Sequence, residues 1–134
     1  DTVVLVGETP LEVRIGSRNE DGGGLVACCE VRYLGGDTAE FGMFAVSPDR
    51  QGGGWGAVML DEAERTARTR WGATTMELSV IEQRVELIEW YTRRGYERTG
   101  ERRPFPYGDE RFGRPRRDDL CFVVLTNDIA APPT

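Results

Sequence analysis

Arg50-Gln51-Gly52-Gly53-Gly54-Trp55-Gly56 is the segment of this chain whose residue types and spacing point most directly to chemistry. It follows an apolar run, Phe41 to Val46, and a Ser47-Pro48-Asp49 turn, and it leads straight into a helical pattern. Glycines ahead of a helix leave backbone N–H groups uncovered by side chains. The helix start adds its own unsatisfied donors and the positive end of its dipole. Such an arrangement seats a phosphate or pyrophosphate. Two absences narrow the rest. The chain has no histidine, which removes Ser-His-Asp and Cys-His catalysis and histidine-rich metal sites. All 17 basic residues are arginine, so no lysine is present for a P-loop or a Schiff base. Acid–base work falls to Asp, Glu, Tyr, Cys, a terminus or water.

The elements that must position this segment fit in one domain of 134 residues. Hydrophobic residues make up 39% and charged residues 30%, the balance of a globular protein, and no apolar run approaches membrane-spanning length. A net charge of −6 argues against general nucleic-acid binding, which depends on neutralising phosphates. Cys28, Cys29 and Cys121 form neither a disulfide framework nor a zinc spacing. They lie in strand-like runs as small hydrophobes, consistent with a reducing, cytoplasmic setting and with no metal.

Val3 to Val6 reads as a short buried strand and Leu11 to Ile15 as a half-exposed one. Ser17 to Gly24 is a glycine-rich loop. Leu25 to Leu34 and Ala39 to Val46 form a hairpin about Gly35-Gly36-Asp37. The period then changes. Gly56, Met59, Leu60, Ala63 and Ala67 are spaced for a helix that ends at Trp71-Gly72. Thr74 to Val80 alternates as a strand, and Val85 to Arg94 is helical up to Gly95. Tyr96 to Thr99 is a strand, Glu101 to Asp119 a long loop, Leu120 to Thr126 a final strand, and Asn127 to Thr134 a frayed tail. The order predicts a mixed α/β (α+β) fold. Its sheet is mostly antiparallel and twisted, with a central strand–helix–strand unit.

These motifs resemble those of the GNAT N-acetyltransferases, which move an acetyl group from acetyl-coenzyme A to an amine. The family's coenzyme motif, Arg/Gln-x-x-Gly-x-Gly/Ala at a strand-to-helix junction, is matched by Gln51-Gly52-Gly53-Gly54-Trp55-Gly56, preceded by Val46-Ser47-Pro48. The second signature, an aromatic-Tyr pair and then Gly-aromatic, is matched by Trp90-Tyr91-Thr92-Arg93-Arg94-Gly95-Tyr96. The resemblance covers Leu25 to Tyr96 and extends to the final strands.

The resemblance implies acetyl-CoA as co-substrate and a small-molecule or peptide amine as acceptor. The N–H groups of Gly52, Gly53, Gly54, Trp55 and Gly56 would receive the pyrophosphate, and Arg50 would touch a phosphate. Met43 to Val46 would hold the pantetheine arm by strand-like bonding through Phe44, Ala45 and Val46, and an amide near Phe44 would polarise the thioester carbonyl. Arg84 stands where many members carry an asparagine that touches the pantetheine. Glu40 lies where several members carry a catalytic base, with Glu77 on the next strand as runner-up. Tyr91 corresponds to the general acid that protonates the departing thiolate. The side chain of Trp55 either packs at the helix start or touches the coenzyme, and packing is favoured. The loop from Arg102 to Glu110 offers Asp109 and Glu110 to a cationic acceptor, or Arg102 and Arg103 to an anionic one.

Family members usually begin with a strand and two helices ahead of the sheet's second strand. Only Asp1 and Thr2 precede a strand here. Those elements are therefore expected to lie outside this chain or to come from a partner, with an uncovered edge strand that invites pairing, as in a homodimer. Two other readings compete. One is a non-catalytic coenzyme A-binding or dimerisation module of the same fold. The other is a dinucleotide-binding domain, since Gly52-x-Gly54-x-x-Ala57 formally fits that fingerprint.

Overall fold

A computed structural model describes residues 2–8, 12–16, 25–47, 54–104 and 120–130. They fall into two compact units, Asp1–Met76 with Ile129–Thr134, and Glu77–Asp128.

The first unit is built on β1 (Thr2–Glu8), β2 (Glu12–Ile15), β3 (Leu25–Gly35) and β4 (Thr38–Val46), in the order β2-β1-β3-β4. Every pairing among them is antiparallel. The short connection between Glu8 and Glu12 returns the chain alongside itself, with Glu8 opposite Glu12 and Leu5 opposite Ile15. β2 takes the outer position beside β1, so the first strand of the chain is not the end strand of the sheet.

Helix α1 (Trp55–Trp71) packs on β3, with contacts to β1, β4 and β2. It buries Trp55, Met59, Leu60, Ala63 and Ala67, the stripe that its period of 3.6 predicts, with Trp55 added at its start. Gly72 closes it in the left-handed conformation, φ 66°. Its N–H donates to the Arg68 carbonyl at 3.0 Å, and the Ala73 N–H donates to the Ala67 carbonyl at 3.1 Å. Strand alternation then sorts the sheet's two faces. Val3, Leu5, Cys29, Val31, Ala39 and Phe41 are buried on the α1 side, where Tyr33 stacks on Trp71 at 5.5 Å. Glu30, Arg32, Glu40 and Gly42 share the other face.

β5 (Thr75–Ile81) runs from the first unit into the second, followed by α2 (Val85–Arg93), β6 (Glu97–Pro104) and β7 (Cys121–Asp128). The order in the second unit is β5-β7-β6, with β6 and β7 antiparallel. Leu78, Val80, Val123, Val124 and Leu125 supply its core, with Ile88 and Tyr91 from α2 and the fully buried Tyr96. β6 runs on to Pro104, five residues past the expected end at Thr99, and most of it is exposed. Gly100, at φ 90°, sits in an irregularity where Arg98 opposes Leu125 and Arg102 opposes Val123. The strand continues through that glycine rather than stopping at it.

Candidate active site

The ladder between β3 and β4 contains an extra residue on β4. Cys28 lies opposite Ala45 and Glu30 opposite Gly42, so Met43 and Phe44 together face Cys29. This is a β-bulge, which takes one peptide unit out of the ladder and re-aims it. It falls on the segment expected to polarise a thioester carbonyl. Beyond it, Ala45 and Val46 return to register against Cys28 and Ala27, and the Ser47 N–H donates to the Val26 carbonyl at 2.6 Å. Val26 is itself an extra residue, since Gly7 faces Ala27 and Glu8 faces Leu25. The end of β4 is thus fixed just where the chain leaves for α1.

Arg50, Gln51, Gly52 and Gly53 lie outside the described residues. The end of the glycine run is described. Gly54 is the N-cap of α1 at φ 84°, a conformation that favours glycine, and no side chain caps the helix start. The first turn also carries no acidic residue. The N–H groups of Trp55 and Gly56 therefore open a helix whose positive end no carboxylate of its first turn offsets, which suits an incoming phosphate.

Trp55 packs, as favoured from sequence. Its side chain is buried, and its ring lies over Gly7 of β1 so closely that a Cβ at Gly7 would stand 2.4 Å from Cζ3. Gly7 was not singled out from sequence. A glycine inside an apolar strand signals close approach of another group, and here that group is the first residue of α1.

Glu40 is half-buried on the face of β4 away from α1. It faces Arg32 across the ladder, and Arg32 Nη2 lies 2.8 Å from Glu40 Oε1. The pair fixes the carboxylate's position two residues before the bulge side of Gly42.

In the second unit, Tyr91 is buried on α2, edge-on to Trp90 at 5.1 Å and to Tyr96 at 5.8 Å. The Arg94 guanidinium lies 4.5 Å from the Trp90 ring centre. Gly95, at φ 102°, is in a conformation that favours glycine, and a Cβ there would press on the Asn127 side chain, 2.9 Å from Oδ1. Arg84 is the exposed N-cap of α2, and its carbonyl accepts the Ile88 N–H at 3.1 Å.

Six charged residues of this unit, Glu77, Glu82, Arg98, Glu101, Arg102 and Arg103, pair with each other. Glu77 is half-buried and paired with Arg103 at 3.2 Å, and Arg103 Nε donates to Glu101 at 2.5 Å. Glu101, and then Glu77, hold the Arg103 guanidinium above its ordinary pKa. Arg102 meets Glu82 at 2.6 Å and Cys121 Sγ at 3.0 Å, and Arg98 also reaches Glu82. Arg102 and Arg103 thus belong to a strand, not to the loop expected from sequence, while Asp109 and Glu110 lie outside the described residues. Of the cysteines only Cys29 is fully buried, and desolvation pushes its thiol up to about 12, so it is no nucleophile near neutrality. Cys28 and Cys121 are only partly buried, less than the small-hydrophobe reading expected.

The structure brings Glu40, Phe44, Ala45, Val46, Gly54, Trp55 and Gly56 onto one strand–helix segment of the first unit. Tyr91 and Arg84 stand on α2 in the second. The glycine fingerprint follows the fourth strand of an antiparallel set, which sets aside the dinucleotide reading. No group of three or more His, Cys, Asp or Glu is placed to hold a metal among the described residues. None of their helices is long and apolar enough to cross a membrane.

A bulged fourth strand that feeds a glycine-started helix, in a mostly antiparallel mixed sheet, gives the fold of the acyl-CoA N-acyltransferases. The chain belongs to the acetyltransferase (GNAT) family, whose model matches residues 9–96, and it is by class an N-acetyltransferase. None of the curated proteins matches it in sequence. Among solved structures it is similar to the ribosomal-protein-S18-alanine N-acetyltransferase of Escherichia coli, at 21% identity and TM-score 0.63 over 90% of this chain and 70% of that one. It is similar to nourseothricin acetyltransferase at 22% and 0.64, over 96% and 85%. A GNAT acetyltransferase from Elizabethkingia anophelis with acetyl-CoA bound matches at 17% and 0.66, over 87% and 74%.

Proposed function

We propose that this chain transfers the acetyl group of acetyl-CoA to an amine of a small molecule or peptide by direct attack. The observation that carries this reading is the bulge at Met43–Phe44 in β4, together with the next helix, which begins on Gly54 with no side-chain cap. The two features match the two needs of the donor. The bulge offers a peptide unit outside the ladder to the thioester carbonyl. The helix start offers backbone donors to the pyrophosphate, with Gly52, Gly53 and Arg50 assigned to the same seat by the family motif.

In this reading Glu40 takes the proton from the incoming amine. The amine nitrogen bonds to the carbonyl carbon, the carbon–sulfur bond breaks, and Tyr91 gives its hydroxyl proton to the departing thiolate. Glu40 owes its role to its place on β4, and Tyr91 to its place in the second signature. Arg84 is assigned to the pantetheine arm on the same ground. The neighbours named for an alanine of ribosomal protein S18 and for nourseothricin support an amine acceptor and leave its size open.

The test uses isothermal calorimetry with acetyl-CoA. Gly54→Asp sets a carboxylate in the phosphate seat, and Gly54→Asn sets a neutral side chain of nearly the same shape there. Both residues tolerate the left-handed backbone better than most. Gly54→Asp is expected to weaken binding at least about tenfold more than Gly54→Asn, about 1.4 kcal/mol. Equal affinities in the two variants would remove the phosphate from this helix start.

A further inference from the structure

Gly42 has none of the structural reasons that account for the other glycines named above. Gly54, Gly72 and Gly95 adopt positive φ, and Gly7 and Gly95 are crowded by Trp55 and Asn127. Gly42 is not among the positive-φ glycines, and a Cβ built on it meets no atom of the described residues within 4 Å. A glycine inside a strand costs about 0.5–1 kcal/mol relative to alanine. Neither backbone conformation nor packing explains why the chain bears that cost at the position next to the bulge.

Its place in the register supplies a reason. Gly42 lies between Glu40 and the bulge at Met43–Phe44, and it shares with Glu40 the face of the sheet away from α1. Residues two apart on a strand are about 7 Å apart along one face. An amine that gives its proton to Glu40 and attacks a carbonyl held at the bulge must cross the space between them. That space lies over Gly42. Glu30 stands directly opposite Gly42 on β3, on the same face.

We propose that Gly42 determines specificity: its missing side chain leaves the channel through which an amine passes Glu30 and Glu40 to reach the thioester, and sets how bulky that acceptor can be. This rests on the acetyl-transfer reading above and adds the acceptor's route to it.

The inference can be tested without knowing the acceptor. In Gly42→Cys the introduced thiol would stand where the amine passes. As thiolate it attacks the acetyl carbonyl, a new sulfur–carbon bond forms, the carbon–sulfur bond to coenzyme A breaks, and coenzyme A leaves as its thiolate. The net exchange consumes no other reagent. The protein is incubated with acetyl-CoA, digested, and the peptide that carries position 42 is weighed by mass spectrometry. Leu34→Cys, on the same face but at the far end of β3, is the control, and thermal melting checks that both variants fold. Acetylation of the introduced thiol at position 42 is expected to be at least about tenfold faster than at position 34, as proximity requires. Equal rates at the two positions would overturn the role of Gly42, provided that calorimetry shows wild-type protein and variants binding acetyl-CoA. If wild-type protein does not bind acetyl-CoA, the underlying reading fails and the inference with it.

Discussion

Among the irregularities of the described strands, those of β6 and β4 are handled in opposite ways. In β6 the irregularity between Arg98 and Arg102 is closed by its own residues. The Thr99 hydroxyl donates to the Val124 carbonyl at 3.2 Å and accepts the Glu101 N–H at 3.1 Å, while Gly100 takes the positive φ that the turn of the backbone needs. In β4 the bulge at Met43–Phe44 is flanked by a glycine with open space above it, and the next element after β4 is the glycine-started helix. The first bulge spends its polar groups on the fold. The second keeps space beside a displaced peptide unit. On the proposed acetyl-transfer reading, a bulge marks a site only where space is left beside it.

Deleting Met43 removes the extra residue and lets β4 pair regularly with β3. Turnover with acetyl-CoA should then fall on the order of 10²- to 10³-fold, the usual cost of losing one donor to a developing oxyanion. Steady-state kcat on a folded variant is the measurement, and a variant that keeps full kcat would put the β4 bulge in the same class as the β6 one. Tyr91→Phe should have the next largest effect. It should lower kcat about tenfold or more while acetyl-CoA affinity stays unchanged, because a proton donor acts in the transition state. Parallel losses in kcat and affinity would assign Tyr91 to the core with Trp90 and Tyr96. The smallest effect belongs to β6. Thr99→Val removes both hydroxyl bonds and should cost about 1 kcal/mol of stability in urea unfolding, with kcat untouched. A clear loss of turnover in Thr99→Val would show that the β6 bulge is not merely self-contained.

What could be read in advance follows from what periodicity encodes. Helix α1 was legible because Met59, Leu60, Ala63 and Ala67 repeat at 3.6 and Gly72 supplies the stop. Gly95 was legible as the end of α2. The last half of β6 was not. Its side chains are nearly all exposed, so no apolar alternation marks it, and Gly100 among charged residues resembles a loop. The position of β2 outside β1 was missed because pairing order is a property of chain return, not of composition. The β4 bulge left one trace in the sequence. Met43, Phe44 and Ala45 are consecutive apolar residues directly after a glycine, and they interrupt the alternation of Ala39, Glu40, Phe41 and Gly42. At the site, the residue types of the glycine run were legible and their support was not, since Gly7 and Trp55 are far apart in the chain.

The contact between Gly7 and Trp55 gives those two positions a joint inheritance. Because the ring occupies the volume that any side chain on Gly7 would need, neither residue can drift in size alone. A change at position 7 has to be matched by a smaller residue at position 55. Such a pair of changes would reset the anchor of the whole α1 start. Among sequences of this lineage, the sizes of these two residues should therefore rise and fall in opposite directions, a signature that can be sought without any assay.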